Sequence, residues 1–253
     1  MDGSICHVSL RGSDSRNLIT WEVVKELKHA AIEIGSNRAV RAVILSSRSN
    51  NFTMGFDINY ATKCFDGALD DLRALNELGG EMCDAWAAIA STTVCVTDGF
   101  CVGGGVALAA ACDFRIASSC STFLVPEVFR GMNMGWGAIP RLANLVGPAR
   151  TKQICLLGQN IDATKAVAWG LVDELVNASE LMNVANEYAR KAASLPPVAA
   201  KMIKRSVDRY VNALAGLATQ AESDQFLLMT KSEDFAEGLK SFQQKRSGIF
   251  SGR

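Results

Sequence analysis

The chain has 253 residues, 49% of them hydrophobic and 21% charged, enough to bury a full core and too apolar for a disordered polypeptide. Lysine plus arginine equal aspartate plus glutamate at 26 each, so no basic face suggests a nucleic-acid partner, and any taste for anions must come from a local site. No apolar run reaches the length of a membrane span, the longest being the glycine-rich stretch around 102–112, and the first residues lack the pattern of a secretory signal.

In chain order, Ile5–Leu10 alternates like a strand, and 20–34 reads as a helix whose apolar stripe is Val23, Val24, Leu27, Ala30, Ala31 and Ile34. Gly35, Ser36 and Asn37 stop it. The β-branched run 40–46 has the look of a buried parallel strand. A second round follows: helix 69–90, strand 93–97, a glycine turn, helix 105–111 and strand 113–117. Strands alternating with helices predict an α/β fold with parallel pairing. Beyond Gly158 come a short helix at 163–169 and a short strand at 171–176. Everything from Ser179 reads as helical, with Pro196–Pro197 starting a helix. This divides the chain into a core, 1–195, and a C-terminal helical region, 196–253.

The eight cysteines, at 6, 64, 83, 95, 101, 112, 120 and 155, form no C-x-x-C pair. They read as reduced thiols of a cytoplasmic protein, not as disulfides or metal ligands. With His7 and His29 as the sole histidines, a histidine-dependent nucleophile has little material.

Three segments carry chemistry. NFTMGFDIN, 51–59, follows the buried strand, so it lies at the end where an α/β layer binds ligands. Gly55 allows a turn that presents the Phe56 N–H; the alternative, which this segment alone favours, is a plain turn with Asp57 capping a short helix. DGFCVGGGVALAAA, 98–111, opens a helix on three glycines. Its unsatisfied N–H groups sit at the positive end of a dipole and suit an oxyanion, a close-packed helix start being the alternative, while the phosphate-loop patterns are absent. In FLVPEVFRGMNMGWGAIPRL, 123–142, Glu127 follows a proline among apolar residues. Such a carboxylate either pairs with a cation, for which Arg130 and Arg141 stand nearby, or has a raised pKa suited to proton transfer.

In order and spacing, FTMGFDI, DGFCVGGGVALAAACD and FLVPE…G…G…PRL, with Asn17 before them and WGLVDELV (169–176) after, resemble the crotonase superfamily of enoyl-CoA hydratases and isomerases. The resemblance implies a crotonase-like spiral of ββα units with a C-terminal helical trimerisation region, and a homotrimer or homohexamer. It places the two oxyanion donors on Phe56 and Gly104, the acid/base on Glu127, and the glycine that helps hold a hydratase's water on Gly135. The loop of Phe52, Thr53, Met54 and Phe56, with Asp57 after it, would lie along coenzyme A, which arrives as part of an acyl-CoA thioester substrate. No other cofactor and no metal is implied. The hydratases' first carboxylate falls on Ala107, which has no acid. One glutamate suffices for a 1,3-proton shift, so the departure favours an isomerase, as does the bulk of Trp136, with Met132 and Met134 as pocket wall. A hydratase, a decarboxylase or dehydratase acting on coenzyme A or carrier-protein thioesters, and a silent acyl-CoA binder are the alternatives.

Overall fold

The computed structural model describes residues 3–12, 14–62 and 67–253; Cys64 lies outside them. Its main sheet has five strands in the order β1-β2-β3-β5-β8, all parallel. They are β1 (Ile5–Leu10), β2 (Ala42–Ser47), β3 (Thr92–Thr97), β5 (Phe114–Ser118) and β8 (Glu174–Val176). The short strands β4 (Phe100–Val102), β6 (Thr122–Leu124) and β7 (Ile161–Asp162) make a second sheet in which β4 and β6 are parallel. Thr53 extends that sheet through a parallel bridge to Cys101. The rounds that begin at β2, β3 and β5 each give one strand to the long sheet, one short extended piece to the second sheet, and then helix. That is the expected spiral of ββα units.

The helices in chain order are α1 (Trp21–Ser36), α2 (Ile58–Thr62), α3 (Leu69–Ala87), α4 (Gly104–Ala110), α5 (Ala138–Val146), α6 (Pro148–Cys155), α7 (Ala163–Trp169), α8 (Leu181–Ser194), α9 (Pro197–Val211), α10 (Ala215–Thr219), α11 (Glu222–Thr230) and α12 (Glu233–Gln243). The buried strand β2 shows why the sheet is covered on both faces. Ala42 and Ile44 face a cluster completed by Leu181, Ala185 and Ala189 of α8, whereas Val43 and Leu45 join the larger core beneath α1, α3 and α4. Alternate residues of one strand thus serve two cores, which explains a continuous apolar run.

Several boundaries shift for local reasons. Val40 is still turning, its N–H bonded to Asn37 O at 3.1 Å. Leu171 and Val172 both donate to Ala166 O, closing α7 behind the left-handed Gly170, so the strand starts only at Glu174. α3 ends at Ala87 instead of residue 90. The tail is not helical to its end. Beyond α12 it folds back, with Ile249 N–H on Glu237 Oε1 at 3.0 Å and Ser251 N–H on Asp234 Oδ1 at 2.6 Å.

Candidate active site

The loop after β2 is built backwards from Asn17. This residue is buried in a left-handed conformation, and its Nδ2 donates to Phe52 O at 2.7 Å and Ser47 Oγ at 3.0 Å. Further on, Ile19 N–H bonds Gly55 O at 3.0 Å and Asp57 N–H bonds Ile19 O at 2.9 Å. Both bonds leave the loop on one edge. Because successive N–H groups of extended chain alternate edges, the Phe56 N–H between them faces away from Ile19, and Phe56 lines a cavity. Gly55, at φ 91°, permits that path, and a Cβ on it would sit 3.1 Å from Val102 O.

The three glycines at the start of α4 each have a different neighbour. A side chain on Gly103 would strike Glu127 Oε1, one on Gly104 the six-membered ring of Trp136, and one on Gly105 the Thr53 methyl. Gly103 N–H goes to Leu124 O at 2.8 Å, and the N–H groups of Val106 and Ala107 return to Gly103 O. The Gly104 N–H is the first of the helix and has no acceptor within it.

Glu127 opens one turn of 3-10 helix, Glu127–Arg130, just beyond β6. Its Oε2 is buried and has no partner among the described residues. Burial pushes the carboxyl up to about 7, offset in part by its own backbone N–H and by Arg130. The paired-cation alternative is not realised among the described residues. Arg130 donates to Pro126 O at 3.0 Å and lies over Phe242 at 4.3 Å. Arg141 pairs with Asp84 at 2.5 Å.

Glu127, Phe56, Gly104 and Gly135 all line one cavity of about 380 Å³, with Met54, Asp57, Met132, Met134 and Trp136. Phe52 and Thr53 do not reach it. Both are fully buried, Phe52 in the core, and Thr53 Oγ1 takes the Gly55 N–H at 3.0 Å. Asp57 accepts from the N–H groups of Asn59 and Tyr60 at 3.0 and 3.2 Å, capping α2. His7 and His29 are exposed and line no part of the cavity. The seven described cysteines are free, four of them buried, and among the described residues no group of three His, Cys, Asp or Glu side chains is placed to hold a metal. No described helix is long and apolar enough to cross a membrane.

Other lining residues were not predicted. Trp21 packs against Phe56 with the rings tilted by 55° and 4.5 Å between centroids, and Phe226, Leu239 and Phe242 come from the C-terminal helices. Asn76 was detectable in principle. It is the polar member of the buried face of α3, with Leu72, Gly79, Met82, Cys83 and Trp86, and a polar side chain on an apolar stripe needs a reason. Its Nδ2 donates to Ser223 Oγ at 3.3 Å, and its Oδ1 lies 3.8 Å from where a Gly135 Cβ would stand.

The sequence pattern of the enoyl-CoA hydratase/isomerase family matches residues 1–253. The chain belongs to this family, within the crotonase superfamily. It is 33% identical over 248 residues to the short-chain-enoyl-CoA hydratase of Clostridium acetobutylicum, covering 97% of this chain and 93% of that one. It is 30% identical over 235 residues to the crotonyl-CoA hydratase of Syntrophomonas wolfei, covering 92% and 89%. The crystal structure of an enoyl-CoA hydratase from Mycobacterium avium subsp. paratuberculosis superposes with a TM-score of 0.88 at 27% identity, covering 99% of this chain and 96% of that one.

The resemblance placed a hydratase's first carboxylate at Ala107. That residue is fully buried and does not line the cavity. The ring of Trp136 lies against the adjoining Gly104, between it and Gly79 of α3, where a Cβ would also collide with the indole.

Proposed function

We propose that this acyl-CoA enzyme holds a thioester oxygen between the N–H groups of Phe56 and Gly104 and moves protons with Glu127 as its single acid/base, shifting the double bond of an enoyl thioester. One observation carries the reading. Of the two carboxyls that line the cavity among the described residues, Asp57 is committed to capping α2, which leaves Glu127, buried and with one oxygen unpartnered among those residues. As a carboxylate it takes a proton from C2 of a 3-enoyl thioester. The electrons of that C–H bond move through the conjugated system onto the thioester oxygen. Each backbone donor aimed at that oxygen is worth about 3–4 kcal/mol in the transition state. Glu127 then returns the proton to C4, giving the 2-enoyl isomer. A carboxyl titrating near neutrality suits both halves of the transfer. Coenzyme A enters as part of the substrate, and no resident cofactor takes part.

A second reading, hydration of a 2-enoyl thioester, is favoured by Asn76. Its Oδ1, near Gly135, is placed to accept from a water that Glu127 deprotonates, with the proton then returned to C2. The relatives from Clostridium acetobutylicum and Syntrophomonas wolfei carry hydratase names. Incubation with 2-enoyl- and 3-enoyl-CoA separates the readings. Isomerisation leaves the mass unchanged and alters retention, whereas hydration adds one water. No conversion of either substrate would overturn both.

We further propose a homotrimer or homohexamer. α9 and its sequel expose Val198, Met202, Ile203, Val207, Tyr210, Leu214 and Leu217, a contiguous apolar set of the kind that marks subunit contacts. The free cysteines support a reducing, cytoplasmic setting.

A further inference from the structure

Trp136 and Gly137 are consecutive residues in the left-handed region, at φ 60° and 64°. Gly137 accepts that conformation readily, but tryptophan does not. A corner of this kind persists only where its surroundings hold it, and here two side chains do so. Glu222, the first residue of α11, accepts the Gly137 N–H on Oε2 at 3.0 Å. Arg141, from the second turn of α5, donates through Nη1 to both Trp136 O at 3.1 Å and Gly137 O at 3.0 Å. The corner is thus gripped by an acceptor on its N–H and a donor on its two carbonyls, and the two gripping groups attract each other. Arg141 is itself held by Asp84 at 2.5 Å. Glu222 is buried, and its second oxygen has no partner among the described residues. A buried carboxylate costs stability unless it is used, and the use visible here is the hold on Gly137.

What the corner aims is the indole of Trp136. It is wedged between Gly104 and Gly79 and meets Phe56 edge-on at 6.0 Å between centroids. It therefore touches both residues whose N–H groups are the proposed oxyanion donors, and it walls the cavity beside them.

We propose that Glu222 and Arg141 are positioning residues that clamp Trp136 as the wall of the acyl pocket, so that a residue of the C-terminal helices sets which acyl chains fit. The selectivity part rests on the acyl-CoA reading above. The placement of the indole does not.

The test uses the full chain with Glu222→Ala, Glu222→Asp and Glu222→Gln. The unreactive probes are butyryl-CoA and octanoyl-CoA, whose affinities are measured by calorimetry, alongside tryptophan emission and acrylamide quenching. Alanine removes the acceptor, and aspartate withdraws it by one methylene while keeping the charge. Both should shift the butyryl-to-octanoyl affinity ratio towards octanoyl by about tenfold and increase quenching. The added quenching should vanish when Trp136→Phe is introduced as well. Glutamine keeps an acceptor oxygen and should hold the ratio within about twofold of wild type. A purely structural loss would lower the melting temperature without moving the ratio. Folded alanine and aspartate variants with wild-type ratio and quenching would overturn the clamp, as would a glutamine variant that behaves like alanine. If alanine prevents folding, the aspartate variant decides alone by the same criteria. If the wild type binds neither probe, the acyl-CoA reading is what fails. The quenching difference, present or absent, then upholds or overturns the clamp.

Discussion

The six-membered ring of Trp136 occupies the space that a Cβ on Gly104 would need. Any side chain at 104 would strike the indole. The glycine is required by a packed aromatic wall.

This contact makes Gly104→Ala a test of coupling. The added methyl should push Trp136 out of its slot and cost about 1–3 kcal/mol of stability, the usual range for overpacking, with a matching loss of turnover. Trp136→Leu should relieve that clash, so the double variant should be more stable than the sum of the single effects allows. Thermal and urea denaturation of the four proteins measures the coupling. Additive effects would show that the ring moves aside freely.

Glu127→Gln should lower turnover at least about a hundredfold, because the amide cannot accept a proton at neutral pH. Acyl-CoA affinity should stay within about tenfold, since size and burial are preserved. Stopped-time product assays and calorimetry on the same preparation check both halves. A variant turning over at wild-type rate would make Glu127 structural.

The pH dependence has a definite sign. Burial, the main cause, raises Glu127 to about 7, so its base form, and with it kcat/KM, should rise as pH increases through about 7. Stability should move oppositely. A carboxyl that binds its proton more tightly when folded contributes most at low pH, and that contribution is lost between its unfolded value near 4.5 and about 7. At pH 8 the buried charge should cost up to about 3 kcal/mol. Glu127→Gln has no such titration, so its stability relative to wild type should improve from pH 5 to pH 8. Parallel urea titrations across that range would show it; a constant difference would refute the burial argument.

Much of this site could be read from the chain because its parts are local. The glycine run, the loop with Gly55 and the proline before Glu127 each express a backbone requirement within a few residues. The β2 run likewise announced a strand covered on both faces. What could not be read was set by partners distant in sequence. Nothing near Trp136 reveals that Gly79, far upstream, leaves a slot for its indole, or that Glu222, far downstream, holds the next peptide. The burial of Phe52 and Thr53 was hidden for the same reason. A loop at the ligand end of a sheet alternates its side chains between core and cavity, and only the Asn17 and Cys101 contacts fix which way each one faces.

The last prediction concerns Ala107→Glu, which from sequence alone should supply a hydratase's missing acid. Ala107 is fully buried and absent from the cavity wall, and the Trp136 ring lies against the start of the same helix. A glutamate placed there has no water to hold and must either ionise in a core or displace the indole. Burying an unpaired carboxyl costs several kcal/mol unless it takes up a proton. The single variant should therefore be destabilised by about 3 kcal/mol or more, with no gain in 3-hydroxyacyl product. Pairing it with Trp136→Ala removes the wall and should open the new acid to the cavity, recovering part of the stability and raising the ratio of hydrated to shifted product. The measurement is that ratio, with melting temperature, for wild type, both single variants and the double. If Ala107→Glu alone is stable and hydrates better than wild type, Trp136 is not the barrier. If the double variant is folded yet its ratio is unchanged, the acid at 107 is not what separates the two reactions in this enzyme.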